Sequence, residues 1–450
     1  MKRVLIIAGS DSGGGAGIQA DLKTVSAFGA WGSTVVTALT AQNTQGVKSI
    51  HPVPPSFVAE QIKAVLEDIG ADSVKVGMLG NAEVVHTVAE LVRGLRPIVV
   101  DPVMIAKGGA RLLEPQAVSA LKSELLPLAT VLTPNIPEAE ALSGRTIRSI
   151  ADMESAAESL RRSLSIEAVL IKGGHLEGEE VCDVLVTAEG SKRWVGPRLA
   201  TRNTHGTGCT LSSALAALLA EGIELKEAAG RAVSFVRLAM KSGPAIGGGH
   251  RPLDQLASLK REAQRYAITE ALGDALSRLQ SLPFHVLVPE VQSNLAFALP
   301  FAESPEDVAA FPGRIIKVGK RITAPAPPAF GGSRHVAKVV LTAMRFDPEL
   351  RCCCNIRYGA DVLRWIEQAG LSSARFDRKN EPPEVKAREG ATLEWGTAEA
   401  LRSAGGAVDV IYDEGDIGKE PMVRVLGTDP ASVVEKIEKI LAASHPAAGT

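Results

Sequence analysis

The sequence predicts an α/β fold: a mostly parallel sheet with helices on both faces, followed by a separate mixed α/β domain. Three observations lead there. Through about residue 250, short β-branched runs alternate with helical stretches, the pattern of strands covered by helices. Glycine or polar residues directly follow several strand ends, where open α/β sheets bind ligands. After Gly247-Gly248-Gly249 the texture becomes more mixed, with several proline breaks.

Strands are expected at Val4–Ala8, Ser33–Thr40, Ser73–Val76, Ile98–Val100, Thr130–Leu132 and Ala168–Ile171. Helices are expected between them at Pro55–Ile69, Ala82–Arg93, Pro115–Glu124 and Ile150–Leu164. Val181–Val186 and Lys192–Val195 read as a late hairpin or edge pair, and Thr210–Ala220 as an apolar, alanine-rich helix. Between Leu253 and Leu279, residues Leu256, Leu259, Ala263, Leu272, Leu276 and Leu279 fall on or near one helical face. The domain plan is therefore 1–250, a connecting or domain-opening helix over 251–282, a second domain over 283–443, and a flexible tail over 444–450. A final helix is expected from Ala431 to Ala442.

Composition narrows the class. The chain has 450 residues, 45% hydrophobic and 22% charged, with a net charge of -2. That balance argues against a generally nucleic-acid-binding surface. No apolar run reaches the roughly 20 residues that span a bilayer, so no membrane partner is expected. Met1-Lys2-Arg3 looks like the charged start of a signal peptide, but the apolar run behind it is short and ends in a glycine-rich loop, so it reads as a first strand. Five cysteines, three of them consecutive, make no disulfide framework, and a cytoplasmic location is expected.

Gly206-Thr207-Gly208-Cys209 opens the helical run Thr210–Ala220. The first turn of a helix has unpaired N–H groups and a positive dipole end, and glycines let a phosphate approach closely. A cysteine in that cradle is expected to favour its thiolate. Gly9 to Gly17 follows the first strand and leads into Ile18-Gln19-Ala20-Asp21. Its glycine spacing is weak support for a dinucleotide site, and without a following Gly-Lys-Ser/Thr it is not a P-loop. It equally suits a loop wrapped around a small polar substrate, with Asp11 or Asp21 bonding to it. Asp101 follows a strand end, as an acid that holds Mg²⁺ on phosphates would. Thr133-Pro134-Asn135 with Glu138, and Lys172-Gly173-Gly174-His175, follow the next two strand ends. Carboxylates, an amide, a cation and an anion cradle together meet the needs of nucleotide-dependent phosphoryl transfer.

These segments, with Thr37–Thr44, Lys75–Leu79 and Val100–Met104, resemble the hydroxymethylpyrimidine and phosphomethylpyrimidine kinases of thiamine synthesis, in the ribokinase superfamily. The resemblance covers about residues 1–250. It implies a pyrimidine pocket of Gly9, Ala16, Asp21, Gln42 and Met78, with the Gln42 amide matching the aminopyrimidine edge. It implies catalysis by Cys209 with Gly206, Thr207 and Gly208. It further implies ATP contacts from Asp101, Asn135, Lys172 and Thr207, Mg²⁺ held by Asp101 and Glu138, and a homodimer. Cys209 would assist attack of the hydroxymethyl group on the γ-phosphate of ATP, and the same site would then phosphorylate the monophosphate.

The second half resembles the ThiN type of thiamine-phosphate synthase domain over about residues 270–440. Asn294–Ala298, Gly313-Arg314-Ile315, Phe330–Ala337, Asn355–Tyr358, Val410–Gly415 and Gly418–Arg424 carry that resemblance. It implies condensation of the pyrimidine diphosphate with thiazole phosphate. The pyrophosphate leaves, and the thiazole nitrogen needs no strong base, so alignment and anion binding are the domain's tasks. Gly331, Gly332, Arg334, His335, Arg357 and Lys419 are the expected anion contacts. A domain that senses thiamine phosphate without making it is the alternative. Cys352-Cys353-Cys354 reads as packing, since neighbours on a strand face opposite ways and cannot readily share one ion.

Overall fold

The structure is a computed structural model that describes residues 1–105, 112–386, 391–416 and 418–444. It has two compact units, Met1–Leu259 and Lys260–Thr450. The expectation for the tail over 445–450 lies outside the described residues.

In the first unit the strands are β1 (Arg3–Asp11), β2 (Trp31–Asn43), β3 (Gly46–Pro52), β4 (Ser73–Val76), β5 (Ile98–Val100), β6 (Val131–Leu132), β7 (Ala168–Ile171), β8 (Glu180–Thr187) and β9 (Gly190–Pro197). They form one sheet in the order β3-β2-β1-β4-β5-β6-β7-β8-β9. Pairing from β2 through β7 is parallel, and β3, β8 and β9 are antiparallel additions at the two edges. Strands β4, β5, β6 and β7 are buried along their whole length, which is why the sequence shows β5, β6 and β7 as unbroken apolar runs, while β4 carries Ser73 and Lys75.

Helices cover both faces: α1 (Gly17–Ala27), α2 (Pro55–Asp68), α3 (Ala82–Leu91), α4 (Pro115–Ala120), α5 (Ile136–Ser143), α6 (Ile150–Ser163), α7 (Thr207–Ala220) and α8 (Leu225–Lys241). One face packs Leu5, Ile7, Val74, Val76, Val100 and Leu132 with the buried sides of α2, α3, α5 and α6. The other packs Val4, Ile6, Val99, Val131 and Leu170 with α7 and α8. Consecutive residues of β1 thus feed opposite cores, as the alternation of a strand requires. The helix expected to end at Glu124 instead stops at Ala120 and continues as a π-turn over Leu121–Leu125. A short pair, β10 (Asn203–His205) with β11 (Arg251–Pro252), delivers the chain to α7.

A long helix, α9 (Ala257–Ser281), leads into the second unit. There β12 (Leu295–Ala298), β13 (Val308–Ala310), β14 (Ile316–Val318), β15 (Arg321–Thr323), β16 (Ala329–Phe330), β17 (Cys352–Arg357), β18 (Ser373–Arg375), β19 (Val410–Asp413) and β20 (Met422–Gly427) alternate with α10 (Arg334–Ala343), α11 (Ala360–Gln368), α12 (Pro383–Lys386), α13 (Ala391–Ala404) and α14 (Pro430–Ala443). The main sheet runs β16-β13-β12-β17-β20-β19-β18, antiparallel except for β18 with β19. Cys352 and Cys354 pack into one core and Cys353 into the core on the other side. All three are free and buried, and burial pushes their thiols well up, so they behave as small apolar residues. Among the described residues, no helix is long and apolar enough to cross a membrane.

Candidate active site

The ends of β1, β2, β4, β5, β6 and β7 open onto one cavity of about 760 Å³. Gly206 enters α7 with φ +91, a left-handed conformation that suits glycine, and a Cβ there would run into the Gly15 carbonyl oxygen. No side chain caps α7, so its first N–H groups face the cavity, where Thr207, Gly208 and Cys209 line the wall. At Gly208 a Cβ would lie 3.0 Å from both Asp101 Oδ2 and Lys172 Nζ, so the glycine lets backbone, carboxylate and ammonium meet.

Cys209 departs from expectation. Burial pushes its thiol up to about 12, and the nearby charges of Asp21 and Asp101 add to that. Lys75 and the Gly17 backbone N–H pull the other way without overcoming it. The helix terminus was expected to favour a thiolate. The structure gives a neutral thiol, because desolvation of a sulfur anion outweighs the dipole.

Lys172 Nζ lies 2.7 Å from Asp101 Oδ1 and 4.0 Å from Glu138 Oε2. Burial and the neighbouring Asp101 push the Glu138 carboxyl up to about 7 against the pull of Lys172. Asn135 and Glu138 also cap α5 reciprocally. Glu138 Oε2 accepts from the Asn135 N–H at 2.8 Å, and Asn135 Oδ1 accepts from the Glu138 N–H at 2.9 Å. The Asn135 amide, expected on ATP, is therefore already fixed at a helix start, although the residue lines the cavity. Among the described residues, no group of three or more His, Cys, Asp or Glu is placed to hold a metal ion alone. Two carboxylates suffice for Mg²⁺, which takes its remaining ligands from phosphate and water, and Asp101 with Glu138 fits that need.

The same cavity is lined by Gly9, Ala16, Gln42 and Met78. A Cβ on Gly9 would lie 2.9 Å from the Met78 sulfur, and the Thr37 hydroxyl fixes Met78 by donating to its carbonyl at 2.6 Å. The Gln42 Nε2 is 3.2 Å from His205 Nε2, and its Oε1 accepts from Thr40 at 3.2 Å. Asp11 accepts from the N–H groups of Gly13, Gly15 and Ala16 and shapes the glycine loop. Asp21 does not face the cavity. It is fully buried on α1, its oxygens held by Lys75 at 2.8 Å and Ser213 at 2.7 Å, and the expected substrate contact gives way to an internal ion pair. His205 and Lys75 also line the cavity, although the sequence assigned neither a role there. A lysine inside the apolar run Ser73–Val76 was the available signal for the second.

In the second unit the expected anion contacts separate. Gly331 and Gly332 have their N–H groups engaged by the carbonyls of Val308 and Ala329 at 3.0 and 3.1 Å, so neither presents a free donor. Arg357 is held by Asp361 at 3.0 and 2.5 Å and by the Val286 carbonyl at 2.6 Å, which makes it a strand-to-helix tie. Arg334 and His335 are exposed on the first turn of α10, and Lys419 is exposed between β19 and β20.

The fold and the cavity define a ribokinase-like, ATP-using kinase. Residues 11–254 match the family model described as phosphomethylpyrimidine kinase, and the chain belongs to that family. Residues 271–439 match the model described as thiamine-phosphate synthase ThiN, a second domain behind the kinase match. It is 49% identical over 263 residues to the hydroxymethylpyrimidine/phosphomethylpyrimidine kinase of Haemophilus influenzae, covering 57% of this chain and 97% of that one. It is 52% identical over 255 residues to the thiamine biosynthesis bifunctional protein ThiED of Geobacter sulfurreducens, covering 56% of this chain and 52% of that one. The chain thus spans about half the length of that bifunctional relative. Bacillus subtilis pyridoxal kinase with ADP superposes with a TM-score of 0.54 at 36% identity, over 58% of this chain and 99% of that one. The Staphylococcus aureus pyridoxal kinase with AMP-PCP and pyridoxal gives 0.54 at 34% identity, over 58% and 95%.

Proposed function

We propose that the first unit uses ATP to phosphorylate 4-amino-5-hydroxymethyl-2-methylpyrimidine and then its monophosphate, and that the second condenses the diphosphate with thiazole phosphate to thiamine phosphate and pyrophosphate. The observation that carries this reading is the single cavity that joins an uncapped helix start and Lys172–Asp101–Glu138 to Gly9, Ala16, Gln42 and Met78. The uncapped N–H groups and Lys172 hold the transferring phosphate, and Gln42 meets the aminopyrimidine edge after leaving His205. Asp101 and Glu138 hold Mg²⁺, which supplies charge neutralisation to the phosphates. Lys172 then turns from the carboxylates to the phosphate.

In the first phosphorylation the acceptor is a neutral hydroxyl, and the Cys209 sulfur takes its proton once it is in the thiolate form. In the second unit Arg334, His335 and Lys419 are the remaining candidates for pyrophosphate. A homodimer is part of the proposal, through the edge strand β3 and its neighbour β2. Leu39 and Ile50 are 50% and 37% exposed there, an apolar edge that a second copy covers. The location is cytoplasmic, in keeping with five free cysteines.

The test supplies the full chain with the pyrimidine alcohol, Mg-ATP and thiazole phosphate and looks for thiamine phosphate. Diphosphate that accumulates without condensing means that the second unit is a sensor. Sedimentation of a Leu39→Asp/Ile50→Asp chain tests the dimer, which should fall to monomer.

A further inference from the structure

Lys75 is wholly buried on β4, yet it lines the same cavity as Cys209, Asp101 and Met78. Its ammonium donates to Asp21 Oδ2 at 2.8 Å, and Asp21 Oδ1 accepts from the Ser213 hydroxyl at 2.7 Å. Ser213 stands one helical turn beyond Cys209 on α7, so α1, β4 and α7 converge on one charge behind the reacting end of the cavity. Among the described residues Asp21 is the only hydrogen-bonded partner of Lys75, which leaves two of three N–H donors uncommitted. Gly77 makes the space: a Cβ there would lie 2.9 Å from Lys75 Nζ and 3.2 Å from the Ala8 Cβ.

A strand position that needed only filling would hold valine, as Val74 and Val76 do. Two buried charges gain little over a well-packed apolar pair, so the pair calls for another reason. Burial pushes the ammonium toward its neutral form, but the Asp21 charge, its hydrogen bond and the Asp101 charge oppose that and keep it charged.

We propose that Lys75 is a catalytic residue of the kinase unit, whose free N–H groups donate to the acceptor oxygen while that oxygen loses its proton. The acceptor oxygen bonds to the γ-phosphorus as the bond from that phosphorus to the departing ADP oxygen breaks. The hydroxyl proton passes to the Cys209 thiolate, whose own proton has gone to solvent beforehand, and Lys75 keeps its protons throughout. Asp21 and Ser213 are positioning residues that aim the ammonium. This inference rests on the kinase reading of the cavity.

The single variant Lys75→Met strips Asp21 of its partner, so the informative chain is Asp21→Asn/Lys75→Met, which replaces the pair by neutral groups. Expected are a melting temperature and ADP affinity near those of the unaltered chain, with kcat for the pyrimidine alcohol lowered about 10²–10³-fold and KM for ATP unchanged. Should the double variant not fold, Gly77→Ala decides. It crowds the ammonium but keeps both charges, and should lower kcat by about tenfold or more at unchanged ADP affinity. Turnover by the folded double variant within about threefold of the unaltered chain, or an unchanged kcat in Gly77→Ala where that variant decides, overturns the proposal. An unaltered chain that does not phosphorylate the alcohol overturns the kinase reading instead.

Discussion

The imidazole Nε2 of His205 lies 2.8 Å from Asp11 Oδ2, joining the end of β10 to the end of β1 across 194 residues of sequence. The same carboxylate gathers three N–H groups of the glycine loop, so one side chain fixes both the loop and the approach to α7. Burial pushes the Asp11 carboxyl up, but His205 and the backbone donors hold it below its ordinary value. A carboxyl whose folded value is depressed favours the folded state above its unfolded value of about 3.9, and that contribution fades as pH falls through the folded value. Asp11→Asn should therefore lower stability at pH 7 by about 2 kcal/mol and flatten the loss of stability below pH ~4. Urea midpoints between pH 3 and 7 check this, and an unchanged acid slope would count against it.

Cys209 is the one cysteine of the five that keeps part of its surface exposed. An alkylating agent on the folded chain should modify it alone. With the thiol near 12, the alkylation rate should keep rising tenfold per pH unit past pH 9. A plateau near pH ~8.5 in the free protein would show an ordinary thiol and remove the desolvation argument.

Replacing that thiol should separate the two phosphorylations. The second acceptor is already anionic, so proton removal matters less there. Cys209→Ala should slow the first step by about 10²–10³-fold and the second by less than about tenfold. Single-turnover rates on each acceptor decide it. Equal losses would sink the assignment of Cys209 as base.

The two cradle glycines should differ in what they disturb. Gly206→Ala meets a positive φ and the Gly15 carbonyl, so it should cost stability first, by about 2 kcal/mol or more. Gly208→Ala meets only Asp101 and Lys172 at 3.0 Å and should leave the fold intact while weakening Mg-ATP binding about tenfold. Calorimetric melting beside nucleotide titration separates them, and matching effects would contradict the geometry.

In the second unit, Lys419→Ala should raise KM for the pyrimidine diphosphate about tenfold, because it removes an exposed cation. Arg357→Ala should instead lower stability by about 1–3 kcal/mol, since its partners are Asp361 and the Val286 carbonyl. Pyrophosphate inhibition unchanged in Lys419→Ala would remove that residue from the anion site.

The buried strands were legible as apolar runs because parallel strands covered on both faces have no polar side, as in Ala168–Ile171. Less legible were β3, whose residues are mostly exposed and carry no apolar run, and α8, whose buried face is largely alanine. The π-turn after Ala120 had no local signal at all.

The sequence by itself determined the α/β architecture, the two-part chain and the cluster of glycines, acids and cysteine at successive strand ends. Those follow from local periodicity and from strand order, which bring strand ends to one rim. Tertiary structure alone decided how the charges pair: Asp21 with Lys75, Asp101 with Lys172, Asp11 with His205. It also decided that Cys209 rests as a thiol. Pairing and desolvation depend on distances across 50 to 200 residues of chain, and a local pattern carries no record of them.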